Sequence, residues 1–304
     1  MTFVRWGAEA PAHGHYARVL IGLRRFLLAA GSSSIGSIMP LDVVTSCLMV
    51  NRTLLSHIDR LREHGYVVVP GVAPAGKLAT LNEVARAQLA ARSEPLELEA
   101  DLGYPGAPTS RTAAGGETVR RLLQAYSRNA ALAECATASV LREWMEAYFG
   151  ESAFLSLAHH NCLMTKHPLY GSMTGWHRDI RFWSFEREDL VSVWLALGEE
   201  TTHNGALRFL PESHTMAFDA DRFDDTKLFR TDRTDNADLI QRAESPPLMP
   251  GDAVFFHCNT LHSAGRNWTP AVKFSLVYTY RARSNPPRPG SRSASMPEIE
   301  LQHA

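Results

Sequence analysis

Gly251-Asp252-Ala253-Val254-Phe255-Phe256-His257-Cys258-Asn259-Thr260-Leu261-His262 reads as a tight turn, a short apolar strand and a closing histidine. It answers an earlier stretch, Gly175-Trp176-His177-Arg178-Asp179, which holds a histidine and a carboxylate two residues apart. In an extended strand, side chains at i and i+2 point the same way. His177 and Asp179 can therefore face one point, and a second strand arriving from much later in the chain can add His262. Two imidazoles and one carboxylate on one side of a metal ion leave its other side open. His257 lies on the same run, five positions before His262, and competes with it for that role.

The surroundings of both motifs are β-like. Residues 154–166, 191–197, 207–210, 253–257 and 272–281 are short runs rich in β-branched and aromatic residues, punctuated by turns. Such spacing predicts a sandwich or barrel. Upstream, Leu54, Leu55, Ile58 and Leu61 form a helical stripe over 53–64, which Gly65 ends. Residues 66–69 read as a strand, and 75–92, 119–126 and 139–149 read as helices. Residues 93–116, with Pro95, Pro105 and Pro108, read as a long loop, and 219–245 as a charged insertion between strands. These two segments are expected to form a lid over the pocket. The Pro-, Ser- and Arg-rich residues 284–304 are expected to be a poorly ordered tail.

Taken together, GWHRD at 175–179, VSVWLAL at 191–197, NGALRFLPESH at 204–214 and GDAVFFHCNTLHSAGRN at 251–267 resemble the phytanoyl-CoA dioxygenase family of Fe(II)/2-oxoglutarate oxygenases. LREHGYVVVPG at 61–71 extends the likeness upstream, so that it spans roughly residues 52–283. The resemblance implies a mainly β fold with flanking helices around a double-stranded β-helix (jelly-roll, cupin-like) core. It implies ferrous iron held by His177, Asp179 and His262, with 2-oxoglutarate and O2 as cosubstrates and ascorbate as an activator in vitro. The expected reaction hydroxylates or otherwise oxidises a small organic molecule, with release of succinate and CO2. Related halogenases carry a small residue in place of Asp179, so a carboxylate there points to oxidation. In the family pattern the distal ligand is followed by a small-residue turn and then Asn. Ser263-Ala264-Gly265-Arg266-Asn267 fits that register after His262, which leaves His257 as a histidine that supports the ligands from behind or packs in the core.

One departure stands out. The family usually places an Arg eleven residues after the distal histidine to hold the far carboxylate of 2-oxoglutarate; here that position is Lys273. Lysine supplies charge but not the planar fork of guanidinium. Lys273, Ser275, Val277 and Thr279 share one face of their strand, and Phe274, Leu276, Tyr278 and Tyr280 share the other. A buried Lys-Ser pair calls for an anionic partner. Arg266, in the preceding turn, is the rival cation. Trp194 is expected to line the barrel near the cosubstrate, and Lys166 to contact cosubstrate or substrate. Trp176, Phe182 and Trp183 are expected either to wall the substrate pocket or to pack at the barrel mouth. His159 and His160 are adjacent, so a strand would send them to opposite faces, and neither is expected as a ligand.

The 304 residues are 45% hydrophobic, enough for one large core or two small ones. A formal net charge of −1 argues against nucleic acid as a partner. Cys47, Cys135, Cys162 and Cys258 are scattered, as free thiols of a reducing compartment are. No apolar run is long enough for a spanning helix. The expectation is a soluble, cytoplasmic enzyme with a small-molecule substrate. Residues 1–50 are basic, with Arg5, Arg18, Arg24 and Arg25 against Glu9 and Asp42. They are expected to be a loosely ordered extension in preference to a targeting segment. Two alternatives remain open: a jelly-roll metal enzyme using the triad without 2-oxoglutarate, kept alive by Lys273, and a non-catalytic binding protein of the same fold.

Overall fold

A computed structural model describes residues 41–303. The chain divides into two units, Met1–Met49 and Val50–Ala304, and the second carries the fold. The expectations for the N-terminal extension fall almost wholly outside the described residues.

In chain order the strands are β1 (Tyr66–Val69), β2 (Leu96–Leu98), β3 (Val119–Leu123), β4 (Ala153–Lys166), β5 (Thr174–His177), β6 (Leu190–Ala196), β7 (Leu207–Phe209), β8 (Ala253–His257), β9 (His262–Ala264), β10 (Lys273–Ala282) and β11 (Glu298–Glu300). They form an eight-stranded sheet ordered β1-β8-β6-β10-β4-β3-β2, with β11 added to β4, and a three-stranded sheet ordered β5-β9-β7. The named strand pairs are antiparallel. The sheets pack through Tyr66, Trp194, Val254, Phe256 and Val277 of the large one and Leu207, Phe209 and Ala264 of the small one. This is the jelly-roll core expected from the motifs.

The alternation read along β10 explains why both of its faces are buried. Tyr278 and Tyr280 point outward and donate their hydroxyls to the carbonyls of Leu132 and Ala136, at 2.8 and 2.7 Å. Those carbonyls lie in and at the end of the helix Ala130–Ala136, so the outer face of the sheet is capped by helices. Leu61 and the helices Ala75–Ala91 and Ser139–Phe149 contribute Leu81, Ala85, Leu141, Trp144 and Met145 to the same outer core. The inner face keeps Lys273, Ser275, Val277 and Thr279 for the barrel.

Four segments differ from the sequence reading. Residues 119–126 are not a helix: β3 occupies the first five, and a one-turn helix, Ala125–Arg128, follows. Ion pairs outweigh the local pattern there, because Arg121 reaches Glu97 at 3.1 Å and Arg120 reaches Glu99 at 3.0 Å. Those acids belong to β2 and its following turn, so the segment 93–116 is not one continuous loop. The insertion 219–245 hides a small core. Phe223, Leu239 and Ile240 join Phe218 in packing around Trp176, Leu210, Phe229 and Leu261. The C-terminal residues are not a loose tail either. β11 pairs with β4, Arg281 and Arg283 bind Glu298 and Glu300, and Leu301 is buried.

Candidate active site

β5 and β9 lie side by side in the small sheet, and their register sets His177 directly opposite His262. β5 ends at His177. Arg178 is still extended, and Asp179 opens a 3-10 turn, Asp179–Phe182. The i, i+2 relation therefore survives although the strand does not. Asp179 Oδ1 lies 3.7 Å from His177 Nε2 and 3.5 Å from His262 Nε2. One donor atom from each of the three residues falls within 4.8 Å of the others.

The hydrogen bonds around the triad fix which atoms face inward. His177 Nδ1 is 2.8 Å from the Gly175 carbonyl, and His262 Nδ1 is 3.0 Å from the Thr260 carbonyl. A carbonyl only accepts, so each Nδ1 carries the proton and each Nε2 keeps its lone pair. Burial holds the His177 imidazolium well below the usual histidine range, so its ring is neutral. Asp179 Oδ2 is taken separately: Ser192 Oγ donates to it at 3.2 Å, and His160 Nδ1 lies 3.3 Å away. Oδ1 is thus free to point at the two Nε2 atoms. Two imidazoles with Nε2 turned inward and a carboxylate, each oriented by a further partner, are a donor set that fits a divalent transition metal with open positions. His257 stands apart. Its Nε2 is 3.7 Å from Asp189, and its Nδ1 accepts the Asn259 backbone N–H at 3.2 Å.

Two cavities meet at the triad. The inner one, about 50 Å³, lies inside the barrel and is lined by His177, His262, Trp194, Lys166, Lys273 and Ser275 among others. The outer one, about 460 Å³, touches His177, Asp179, His160, Phe182 and Trp183. Arg121 borders both.

Lys273 faces the inner cavity, but its ammonium is paired with the fully buried Glu200 at 2.6 Å and also donates to the Gly205 carbonyl at 3.2 Å. Glu200 Oε1 accepts the Trp194 indole N–H at 2.9 Å and the Ser275 hydroxyl. Lys166 is the direct cross-strand partner of Lys273. Its ammonium donates only to carbonyls, of Gly265 at 2.6 Å and Ser172 at 3.2 Å. Burial, with the neighbouring Arg120 and Lys273 charges, pushes the Lys166 ammonium well below the usual lysine range. Arg266 lies outside both cavities and holds the carbonyls of Gly106 and Leu169. Trp176 is buried among Leu210, Phe229 and Leu261, which leaves Phe182 and Trp183 as the aromatic wall of the outer cavity.

Glu200, Ser192 and Arg121 carry no expectation from the sequence, and His160 is expected there only not to be a ligand. Glu199-Glu200 looks like a solvated turn, and only the backbone pairing of Glu200 with Leu248 turns one acid inward. A buried lysine demands a counter-charge, and that demand was the available signal. His159 and His160 both line the outer cavity because β4 bulges there. Tyr278 pairs with Asn161 and Thr279 with Ser156, so residues 157–160 leave the ladder with β10. Burial pushes His159 down to about 3 and His160 to about 4.

The sequence profile of the phytanoyl-CoA dioxygenase (PhyH) family matches residues 61–275. The ectoine dioxygenase of Sphingopyxis alaskensis is 26% identical over 237 residues, 73% of each chain. Among solved structures, the epimerase SnoN with Fe3+, alpha ketoglutarate and nogalamycin RO superposes with a TM-score of 0.63 at 22% identity, over 79% of this chain and 87% of that one. EctD from S. alaskensis with 2-oxoglutarate and 5-hydroxyectoine gives 0.61 at 23% identity, over 80% and 81%. At these identities the two structures speak for the fold.

Proposed function

The chain belongs to the phytanoyl-CoA dioxygenase family, and from that premise we propose that it is an Fe(II)- and 2-oxoglutarate-dependent dioxygenase that hydroxylates or otherwise oxidises a small organic molecule. The observation that carries this reading is the convergence of His177 Nε2, His262 Nε2 and Asp179 Oδ1 where the two cavities meet. His177, Asp179 and His262 would hold the metal. Iron bound there supplies the oxidising chemistry, in which 2-oxoglutarate and O2 become succinate and CO2 while one oxygen atom goes to the substrate.

The rest is the work of the chain's own groups. Ser192 and His160 hold Asp179 so that a single oxygen faces the metal position. Gly175 and Thr260 hold the two imidazoles in the tautomer a metal needs. The inner cavity takes 2-oxoglutarate. Its positive groups, Arg120, Arg121, Lys166 and Lys273, outnumber the acids paired with them, Glu99, Glu97 and Glu200. The surplus cation suits the far carboxylate, with Lys273 and Ser275 on one strand and Lys166 on the next. Trp194 closes the floor. The outer cavity, about 460 Å³, is of a size for a small-molecule substrate. Phe182 and Trp183 wall it and limit water near the oxidising centre.

Among the described residues no helix is long and apolar enough to cross a membrane. We place the protein in the cytoplasm on its cysteine usage, with Cys135, Cys162 and Cys258 unpaired. The test of function is succinate formation from 2-oxoglutarate by the full chain with Fe(II), O2 and ascorbate. Substrate-free turnover above the metal-free blank supports the reading. No succinate, with or without a broad panel of small molecules, would leave the metal-only or the binding-protein alternative.

A further inference from the structure

We infer that the substrate of the outer cavity is an organic acid, oriented by Arg181 and Arg292 through its carboxylate with its apolar body against Phe182 and Trp183. This rests on the reading above and narrows it to a substrate class.

The charge balance of the outer cavity carries the inference. Two acids line it. Asp179 belongs to the triad, and Glu97 is bound to Arg121 at 3.1 Å. Two further cations line it, Arg181 and Arg292. Among the described residues neither guanidinium lies within ion-pair distance of a carboxylate, and the one polar contact of Arg181 is the Tyr104 hydroxyl at 3.4 Å. Asp224 feels the charge of Arg181, but its Oδ1 is occupied by the backbone N–H groups of Thr226 and Leu228 and the Thr226 hydroxyl. Burial keeps the His159 ring neutral at neutral pH.

The two arginines sit on pinned turns. The turn Asp179–Phe182 is tied by the Ile180 N–H to the Cys258 carbonyl at 3.1 Å. The turn Arg292–Ala294 is tied through the buried Ser293, whose Oγ meets His159 Nε2 at 2.7 Å and the Ser184 N–H at 2.8 Å. The turns fix where the two side chains start, and a guanidinium matches a carboxylate in geometry. Asn161 also lines this cavity; it is 2% exposed, and its Oδ1 accepts the Tyr126 N–H at 2.8 Å. In a lining that is otherwise mostly polar, Phe182, 53% exposed, and Trp183 form one apolar patch on which a hydrophobic body can rest.

The test uses the full chain loaded with Ni(II), which binds without turning over, and 2-oxoglutarate. Titration calorimetry then compares two acids, 4-phenylbutanoate and 1-naphthoate, with their primary amides. Each amide keeps the shape and loses the charge. The expected result is that an acid binds roughly ten- to hundredfold tighter than its amide, the worth of one or two charge-assisted hydrogen bonds. Arg181→Gln and Arg292→Gln should each shrink that ratio, and Arg181→Lys should keep part of it. Thermal melting reports whether each variant is folded, and Arg181→Lys answers the question if Arg181→Gln is not. Equal binding of acids and amides, no binding of either acid, or a preference that survives both Gln substitutions together would overturn the inference. Failure of the wild-type chain to bind 2-oxoglutarate in the first step would sink the functional reading itself, and the inference with it.

Discussion

The Lys273 ammonium lies 2.6 Å from the Glu200 carboxylate, with side-chain exposures of 4% and 0%. The lysine at the position of the family's cosubstrate arginine thus brings its own counter-ion. A dicarboxylate approaching Lys273 also meets the charge of Glu200. Lys166, opposite Lys273 on the neighbouring strand, offsets this, because its ammonium has only carbonyls for partners. Glu200 is paired with Lys273, and Lys166 is the lysine of the pair without a carboxylate partner. Where an arginine fork would bind the anion alone, the proposed function would divide the task between Lys273 and Lys166 on two strands.

Lys273→Ala therefore does two separable things. It removes a cation from the inner cavity, and it strands a buried carboxylate, which costs about 3–5 kcal/mol. Denaturant unfolding should register the second effect and 2-oxoglutarate titration the first, as a roughly ten- to hundredfold weaker affinity. Adding Glu200→Gln to Lys273→Ala should return most of the stability and little of the affinity. If the double variant regains both, Lys273 is a structural partner of Glu200 and not an anchor. Arg266→Ala is the control, and its affinity for 2-oxoglutarate should match wild type.

Lys166 gives a pH signature. Burial and neighbouring cations hold its ammonium well below the ordinary range in the free protein. A carboxylate placed beside it favours the charged form and raises that value. Between the free and the bound value, 2-oxoglutarate binding must take up a proton, so affinity should weaken as pH rises through that window. Calorimetry in two buffers of different ionisation enthalpy measures the uptake directly. Lys166→Met should bind more weakly and lose the proton. The same uptake in Lys166→Met would assign it to another group.

How much of this was legible in the sequence depends on what fixes each element. β6, β8 and β10 are buried on both faces or end in the motifs, and their β-branched and aromatic runs announce them. The two ends of the site, His177-Arg178-Asp179 and His262, were legible because the i, i+2 spacing suggested a shared face and the family resemblance chose His262 over His257, although Asp179 itself sits in a 3-10 turn beyond the strand. β3 was not, because Arg120 and Arg121 read as helix-compatible surface until Glu99 and Glu97 arrive from another segment. His159 and His160 obey no period where β4 leaves its ladder, so alternation misplaced them. Glu200 is inward only because of its backbone pairing with Leu248. Each miss is a position set by a distant partner, where local pattern carries no signal.

The second oxygen of Asp179 gives a positioning test. Ser192 Oγ and His160 Nδ1 both lie on Oδ2. Removing such support typically costs a metal site about 10–100-fold in affinity or activity. Ser192→Ala and His160→Ala should each weaken Ni(II) binding within that range, and His160→Gln should recover part of it, since an amide N–H can replace the ring N–H. Wild-type Ni(II) affinity in both alanine variants would mean that Asp179 needs no second partner.

The triad itself can be separated from its nearest rival by the same measurement. His177, Asp179 and His262 surround one point, whereas His257 is held by Asp189 and the Asn259 backbone. His177→Ala, Asp179→Ala and His262→Ala should each reduce metal affinity and succinate formation by more than the roughly 10–100-fold of a supporting residue. The folds should persist, because the sheets are packed through Phe209, Phe256, Val254 and their neighbours, with the triad at the margin of that core. His257→Ala should keep both metal binding and turnover, while losing some stability with its contacts to Asp189 and Asn259. A metal-binding His262→Ala beside a metal-free His257→Ala would mean that β9 is out of register. The site would then have to be rebuilt around the end of β8.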